Sequence, residues 1–174
     1  MQTSRVLPFT YKRFSLLKST LLASFFFAMV SAVLPAQGAL VAGGGMSELG
    51  DLLTINAVTH NNGQATGQLV YRNSAGGMMH AKVQSLRVVN NVAYVGSFIT
   101  QSNGGQGTSP VGWVLFLRIT DSATGPDLIS APLAVDPSIG AKPSDVQIPS
   151  WPNIFGFLSP TNAQLVAGAL RVTD

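Results

Sequence analysis

Few side chains in this chain are equipped for chemistry. Its only histidines are His60 and His80, and its acids are Glu48, Asp51, Asp121, Asp127, Asp136, Asp145 and Asp174. A metal centre needs three or four ligands at suitable spacing. His60, His80, Glu48 and Asp51 are the candidates, and nothing in their spacing draws them together. His60 sits at a turn edge and reads as a solvated strand end, whereas His80 reads as a packed strand residue. A hydrolase-type enzyme using His60 or His80 with an acid is the catalytic alternative. Against it, no Gly-x-Ser-x-Gly elbow occurs, and a triad is recognised by geometry rather than by inventory. Glycoside cleavage needs two facing carboxylates, but Glu48 is the only Glu and the Asp residues sit mostly in turns, where capping accounts for them.

The absence of cysteine excludes thiolate metal sites, a cysteine nucleophile and a lipidated N-terminal cysteine. Gly43-Gly-Gly45 lacks the Gly-Lys-Ser/Thr ending of a phosphate cradle and is expected at a tight bend or a close backbone approach. Tyr71, Tyr94, Trp113, Trp151 and Phe155 are the candidate lining of a groove for a sugar or peptide. Among them Trp113 lies in the most apolar run and is expected in the core. Trp151, flanked by Pro149-Ser150 and Pro152, is the expected exposed aromatic. No residue set qualifies as catalytic, cofactor-binding or metal-binding.

The elements that must position these side chains read as strands. Short β-branched and aromatic runs recur between turn clusters, the pattern of an all-β sandwich or barrel. Runs at Leu40–Gly45, Leu52–His60, Thr66–Arg72, Met78–Val89, Val92–Ile99, Val111–Ile119, Leu128–Ser130 and Gln164–Thr173 are the expected strands. Asn61-Asn-Gly63 and Asn90-Asn91 supply hairpin turns. In the fourth run the apolar positions change parity from Met79, Ala81 and Val83 to Leu86 and Val88, which predicts a bulge near Ser85. The sixth is apolar on both parities and should be covered on both faces. Pairing of the first and last strands would remove exposed edges. The fold expected is all-β, an antiparallel sandwich or partly closed barrel of about seven to nine strands. Prolines break up residues 132–162, expected to be loop with a short helical turn.

Residues 1–38 have the build of an export signal. Arg5, Lys12, Arg13 and Lys18 precede an uncharged run, Ser19–Leu34, and small residues follow at Pro35–Ala39. Cleavage is expected, leaving 39–174 as one β domain. A retained leader would be the only membrane anchor, because the apolar stretch from Ser19 to Ala36 is 18 residues long. Four of the ten Lys and Arg lie in this leader and all seven acids follow it, so the remainder has six bases against seven acids, a formal charge of −1. Those six bases are dispersed singly, which excludes a nucleic-acid surface built on clustered cations.

The order of motifs resembles the post-COAP family of bacterial extracytoplasmic β-domains. The pieces are Gly43-Gly-Gly45, Gly67-Gln-Leu-Val-Tyr71, Met79-His80, Val88-Val-Asn-Asn-Val-Ala93, the turn and strand from Asp121 to Ser130, and Gly168-Ala-Leu-Arg171. The stretch from Pro132 to Pro160 departs from that family's short connection. The resemblance implies an exported β-domain without assigned catalytic residues. The function expected is therefore an exported, non-enzymatic binding or surface-structural module. Its expected partners are a cell-surface component, a carbohydrate or a small ligand, and no cofactor is expected. A further alternative is a small-ligand carrier with a barrel cavity, which a core filled by Trp113, Leu115 and Phe98 would oppose.

Overall fold

The structure is a computed structural model describing residues 38–148 and 162–174. The leader up to residue 37, together with Trp151 and Phe155, lies outside the described residues. Nine strands follow in chain order: β1 Leu40–Ser47, β2 Leu52–Thr59, β3 Ala65–Arg72, β4 Met78–Val89, β5 Val92–Ser102, β6 Val114–Thr120, β7 Leu128–Ser130, β8 Leu133–Val135 and β9 Asn162–Thr173. The sheet order β5-β4-β3-β2-β1-β9-β7-β6 closes on itself through β5–β6, so eight antiparallel strands form a barrel. β8 adds to the outside of this ring by pairing with β6 from Val114↔Val135 to Phe116↔Leu133.

The alternating pattern sets which side chains point inward. In β2, Leu53, Ile55 and Ala57 are buried while Leu52, Thr54 and Asn56 are exposed. In β3, Leu69 and Tyr71 are buried while Gln68 and Arg72 are exposed. The expected bulge is present. Val83 pairs with Ser97 and Ser85 with Gly96, so Gln84 is the extra residue. That single insertion moves the inward parity from Met79, Ala81 and Val83 to Leu86. The β4–β5 hairpin turns on Asn90, which takes φ +57°, a left-handed conformation that Asn tolerates. β6 is covered on both sides as expected. Leu115, Leu117 and Ile119 face the barrel interior, and Val114 and Phe116 face outward into a second cluster.

β1 and β9 pair from Leu40↔Thr173 to Ser47↔Leu165, joining the first and last strands. Within this ribbon Gly43 and Gly168 take φ of +124° and +98°. A Cβ at Gly43 would stand 2.3 Å from the Ala169 carbonyl oxygen, so the glycine is required by both conformation and space. The remaining seam is short. β7 pairs with β9 over three positions only, from Leu128↔Gln164 to Ser130↔Asn162. Further along, carboxylates replace a strand: Asp127 Oδ2 accepts the Leu170 N–H at 2.7 Å and Asp121 Oδ2 accepts the Val172 N–H at 2.9 Å.

The described part of the proline-rich stretch, residues 132–148, holds more regular structure than expected. It contributes β8 and two 3₁₀ helices, Pro137–Ile139 and Pro143–Gln147, the second of which straps the outer wall of β4–β6. Val135, Ala141 and Val146 of the strap bury Val114 and Phe116, with Tyr94, Phe98 and Leu133 at the margin. Gly96 makes the close approach possible, since a Cβ there would stand 2.0 Å from the Pro143 carbonyl oxygen. Gln147 Nε2 donates to Ser85 Oγ and to the Leu86 carbonyl, each at 2.9 Å. Phe98 is thus on the outside of the barrel, not in the interior with Trp113 and Leu115. Its even position in β5, shared with Tyr94, turns it outward.

Candidate functional site

Six of the seven acids are used to hold the chain. Glu48 Oε1 accepts the Gln164 N–H. Asp51 accepts the Tyr71 hydroxyl at 2.6 Å and the Ser74 N–H at 2.9 Å, tying two turns together. Asp121 and Asp127 seal the seam, Asp136 caps Ser138, and Asp145 accepts the Lys142 N–H. The bond from Ser138 lowers the pKa of Asp136. Burial, then the bond and charge of Asp51, push the Tyr71 hydroxyl well above the usual tyrosine range, so it stays protonated and donates.

The buried serines are committed in the same way. Ser97 Oγ donates to the Leu115 carbonyl, Ser130 Oγ accepts the Arg118 N–H, and Ser47 Oγ accepts from Asp51 and Leu49. Ser85 accepts from Gln147, so among the described residues no buried serine is held by a histidine. His60 Nε2 bonds Thr66 Oγ1 at 2.7 Å at the β2–β3 turn, and His80 is half-buried on the outer face of β4. Among the described residues, no group of three His, Asp or Glu side chains could hold a metal ion.

The three described candidate aromatics do not share a groove. Tyr71 points into the barrel, Trp113 packs against the interior cluster, and Tyr94 lies under the strap with the Arg87 guanidinium 5.4 Å from its ring centre. Strand parity and the strap separate them, which corrects the expectation of an aromatic groove for these three.

What the fold does bring together is polar and lies on the outer wall of β2–β5. Register places Asn56 opposite Gln68 and Gln68 opposite Lys82, one row across three strands. The next row sets Thr54, Val70, His80 and Gln101 side by side. A hollow of about 560 Å³ opens over this face, bordered by Gln68, Val70, His80, Lys82, Thr100 and Gln101. Strands β2 to β5 contain no Asp or Glu. Among the described residues, no side chain hydrogen-bonds to the Gln68, His80, Lys82 or Gln101 side chains. No sequence motif marks this site, because its residues meet only through strand register. The one available signal was a run of outward polar positions in strands without acids. Compared with known proteins, the chain matches no family model, no curated protein and no solved structure.

Proposed function

We propose that this protein is an exported, non-enzymatic β-barrel domain that works as a binding module through its outer wall. The observation that carries this is the patch of uncommitted polar side chains on β2–β5, beside an acid set given over to caps and seams. Concave sites with a few convergent polar groups are the usual place for a ligand. A barrel of eight strands has an interior just wide enough for side chains to fill it. Here Ile55, Leu69, Met79, Leu115 and Leu117 occupy it, which supports binding on the wall in preference to a carrier's cavity. An apolar interior with a polar exterior is the reverse of a membrane barrel's arrangement. The leader's basic start, apolar run and small-residue end support export, and the motif resemblance to bacterial extracytoplasmic β-domains agrees with it.

Two measurements test this. Fractionation with mass measurement should find a product lacking about the first 38 residues outside the cytosol. A cytosolic product with its leader intact defeats the export half. The purified full chain, screened against cell-surface polysaccharides and peptides, should bind without turnover, and Gln68→Ala with Gln101→Ala should weaken that binding. Turnover that disappears with His60→Ala or His80→Ala defeats the binding half.

A further inference from the structure

The polar face extends beyond one hollow. A second concavity of about 310 Å³ is bordered by Gln64, Thr66, Lys82 and Gln84. Lys82 borders both hollows, so it stands where they meet. From Gln64 to Val70 the wall runs roughly 20 Å at about 3.3 Å per residue. The trough is long, shallow and polar, with one ammonium near its middle. Its amides Gln68, Gln84 and Gln101 each offer both a donor and an acceptor, while Gln64 Oε1 already accepts from Asn62 Nδ2.

These features select among ligand classes. An extended peptide gains its affinity by adding to a free strand edge, but β3 and β4 pair with each other from Gly67↔Val83 to Arg72↔Met78 and leave no edge open beside Gln68, Val70, His80 and Lys82. A nucleic acid needs clustered cations, and Lys82 is the one Lys or Arg bordering the two hollows, with Arg72 the next on this wall, four residues beyond Gln68 on β3. Hydroxyl-rich chains match repeated amides, which donate and accept alternately. The lone ammonium, with no acid on the four strands to neutralise it, matches a negative charge carried by the same chain.

We propose that this trough binds a linear polysaccharide bearing carboxylates, with Lys82 on a uronate and Gln68, Gln84 and Gln101 on hydroxyls. The proposal rests on the protein being a wall-binding module and names the ligand class of that site.

The test uses the full chain with oligogalacturonate and with the same oligosaccharide fully methyl-esterified, which keeps the sugar and removes the charge. Calorimetric titration should show binding of the free acid and much weaker binding of the ester, with affinity falling as salt is added. Lys82→Ala should cost about tenfold to a hundredfold in affinity, the range for losing a hydrogen bond to a charged group. Lys82→Glu should abolish binding. Gln68→Ala with Gln101→Ala should weaken it about tenfold, and Arg171→Ala, on the far side of the barrel, should change nothing. Lys82 is exposed, so circular dichroism should be unchanged in each variant. Equal affinity for acid and ester, full binding by Lys82→Ala, or an equal loss in Arg171→Ala overturns the proposal. If the ester binds as well as the acid and the two Gln substitutions abolish it, the charge assignment fails while the wall-binding function stands. If neither oligosaccharide binds and the surface screen is also empty, both fail.

Discussion

Strands β4 and β5 present two outer faces along their length, and the two are treated in opposite ways. Toward the hairpin end, around Leu86, Tyr94 and Gly96, the wall lies under the strap, and its polar groups are matched: Arg87 reaches the Val146 and Ile148 carbonyls, and Gln147 bonds Ser85 and Leu86. Toward the other end, around His80, Lys82 and Gln101, the wall is bare, and these three side chains have no hydrogen-bond partner among the described residues, while Thr100 Oγ1 donates only to the His80 carbonyl. The covered half contributes stability and the bare half contributes none that needs those side chains. Polar groups that folding does not require are the ones available to a ligand.

The comparison breaks most readily in the covered half. Phe116 is fully buried between β6 and the strap. Phe116→Ala should destabilise the domain by about 3–5 kcal/mol, the usual cost of emptying a buried aromatic site. Urea denaturation followed by far-UV circular dichroism would measure it. A loss below about 1 kcal/mol would mean that the strap is not a packed part of the fold. Gly96→Ala is next. It forces a methyl into the Pro143 carbonyl, and an overpacked site of this kind costs about 1–3 kcal/mol. The same titration should show it, with protease sensitivity rising between residues 131 and 148.

Tyr71 sharpens the contrast from inside the barrel, because its hydroxyl is a polar group that the fold does use. Tyr71→Phe removes the bond to Asp51, and a hydrogen bond to a charged group is worth about 1.5–3 kcal/mol. The folded hydroxyl titrates above the usual tyrosine value of 10.0. Its contribution is therefore complete below pH 10 and is lost as pH rises past that point toward the folded value. Unfolding of the natural chain and of Tyr71→Phe should differ at neutral pH and converge at strongly alkaline pH. A constant difference across the alkaline range would show that the Tyr71 hydroxyl is not held protonated.

Much of the fold was legible in the residues, and the reasons are local. Alternation in Leu53-Thr-Ile-Asn-Ala57 fixed a strand and its inner face, and the parity change after Val83 located the bulge within one residue. The two apolar parities of β6 implied two covers, and both exist. β8 was hidden because three residues beside Pro132 give no period. Phe98, large and apolar, was named with Trp113 and Leu115 as a filler that would oppose a ligand cavity, but it lies outside the barrel. Its true cover, Val135 and Val146, comes from more than thirty residues later in the chain. Tyr71, Tyr94 and Trp113 looked like one site as types and separated once parity was known. The trough was illegible for the complementary reason. Gln68, Lys82 and Gln101 are ordinary surface residues until register sets them side by side.

The smallest expected effect is the most discriminating. Gln68→Ala, Lys82→Ala and Gln101→Ala each remove an exposed side chain with no partner among the described residues. Surface changes of this kind fall within about 0.5 kcal/mol. All three should therefore leave the urea midpoint where it is, while Gln147→Ala on the covered half, which removes two hydrogen bonds, should lower stability by about 1 kcal/mol. The same denaturation series reads both halves. If a groove substitution cost as much as Gln147→Ala, its side chain would belong to the folding interactions, and the separation between a wall that holds the barrel and a wall that meets a ligand would be lost. If the groove variants are silent in stability and only the strap variants are felt, the polar row on β2–β5 is kept for something other than folding.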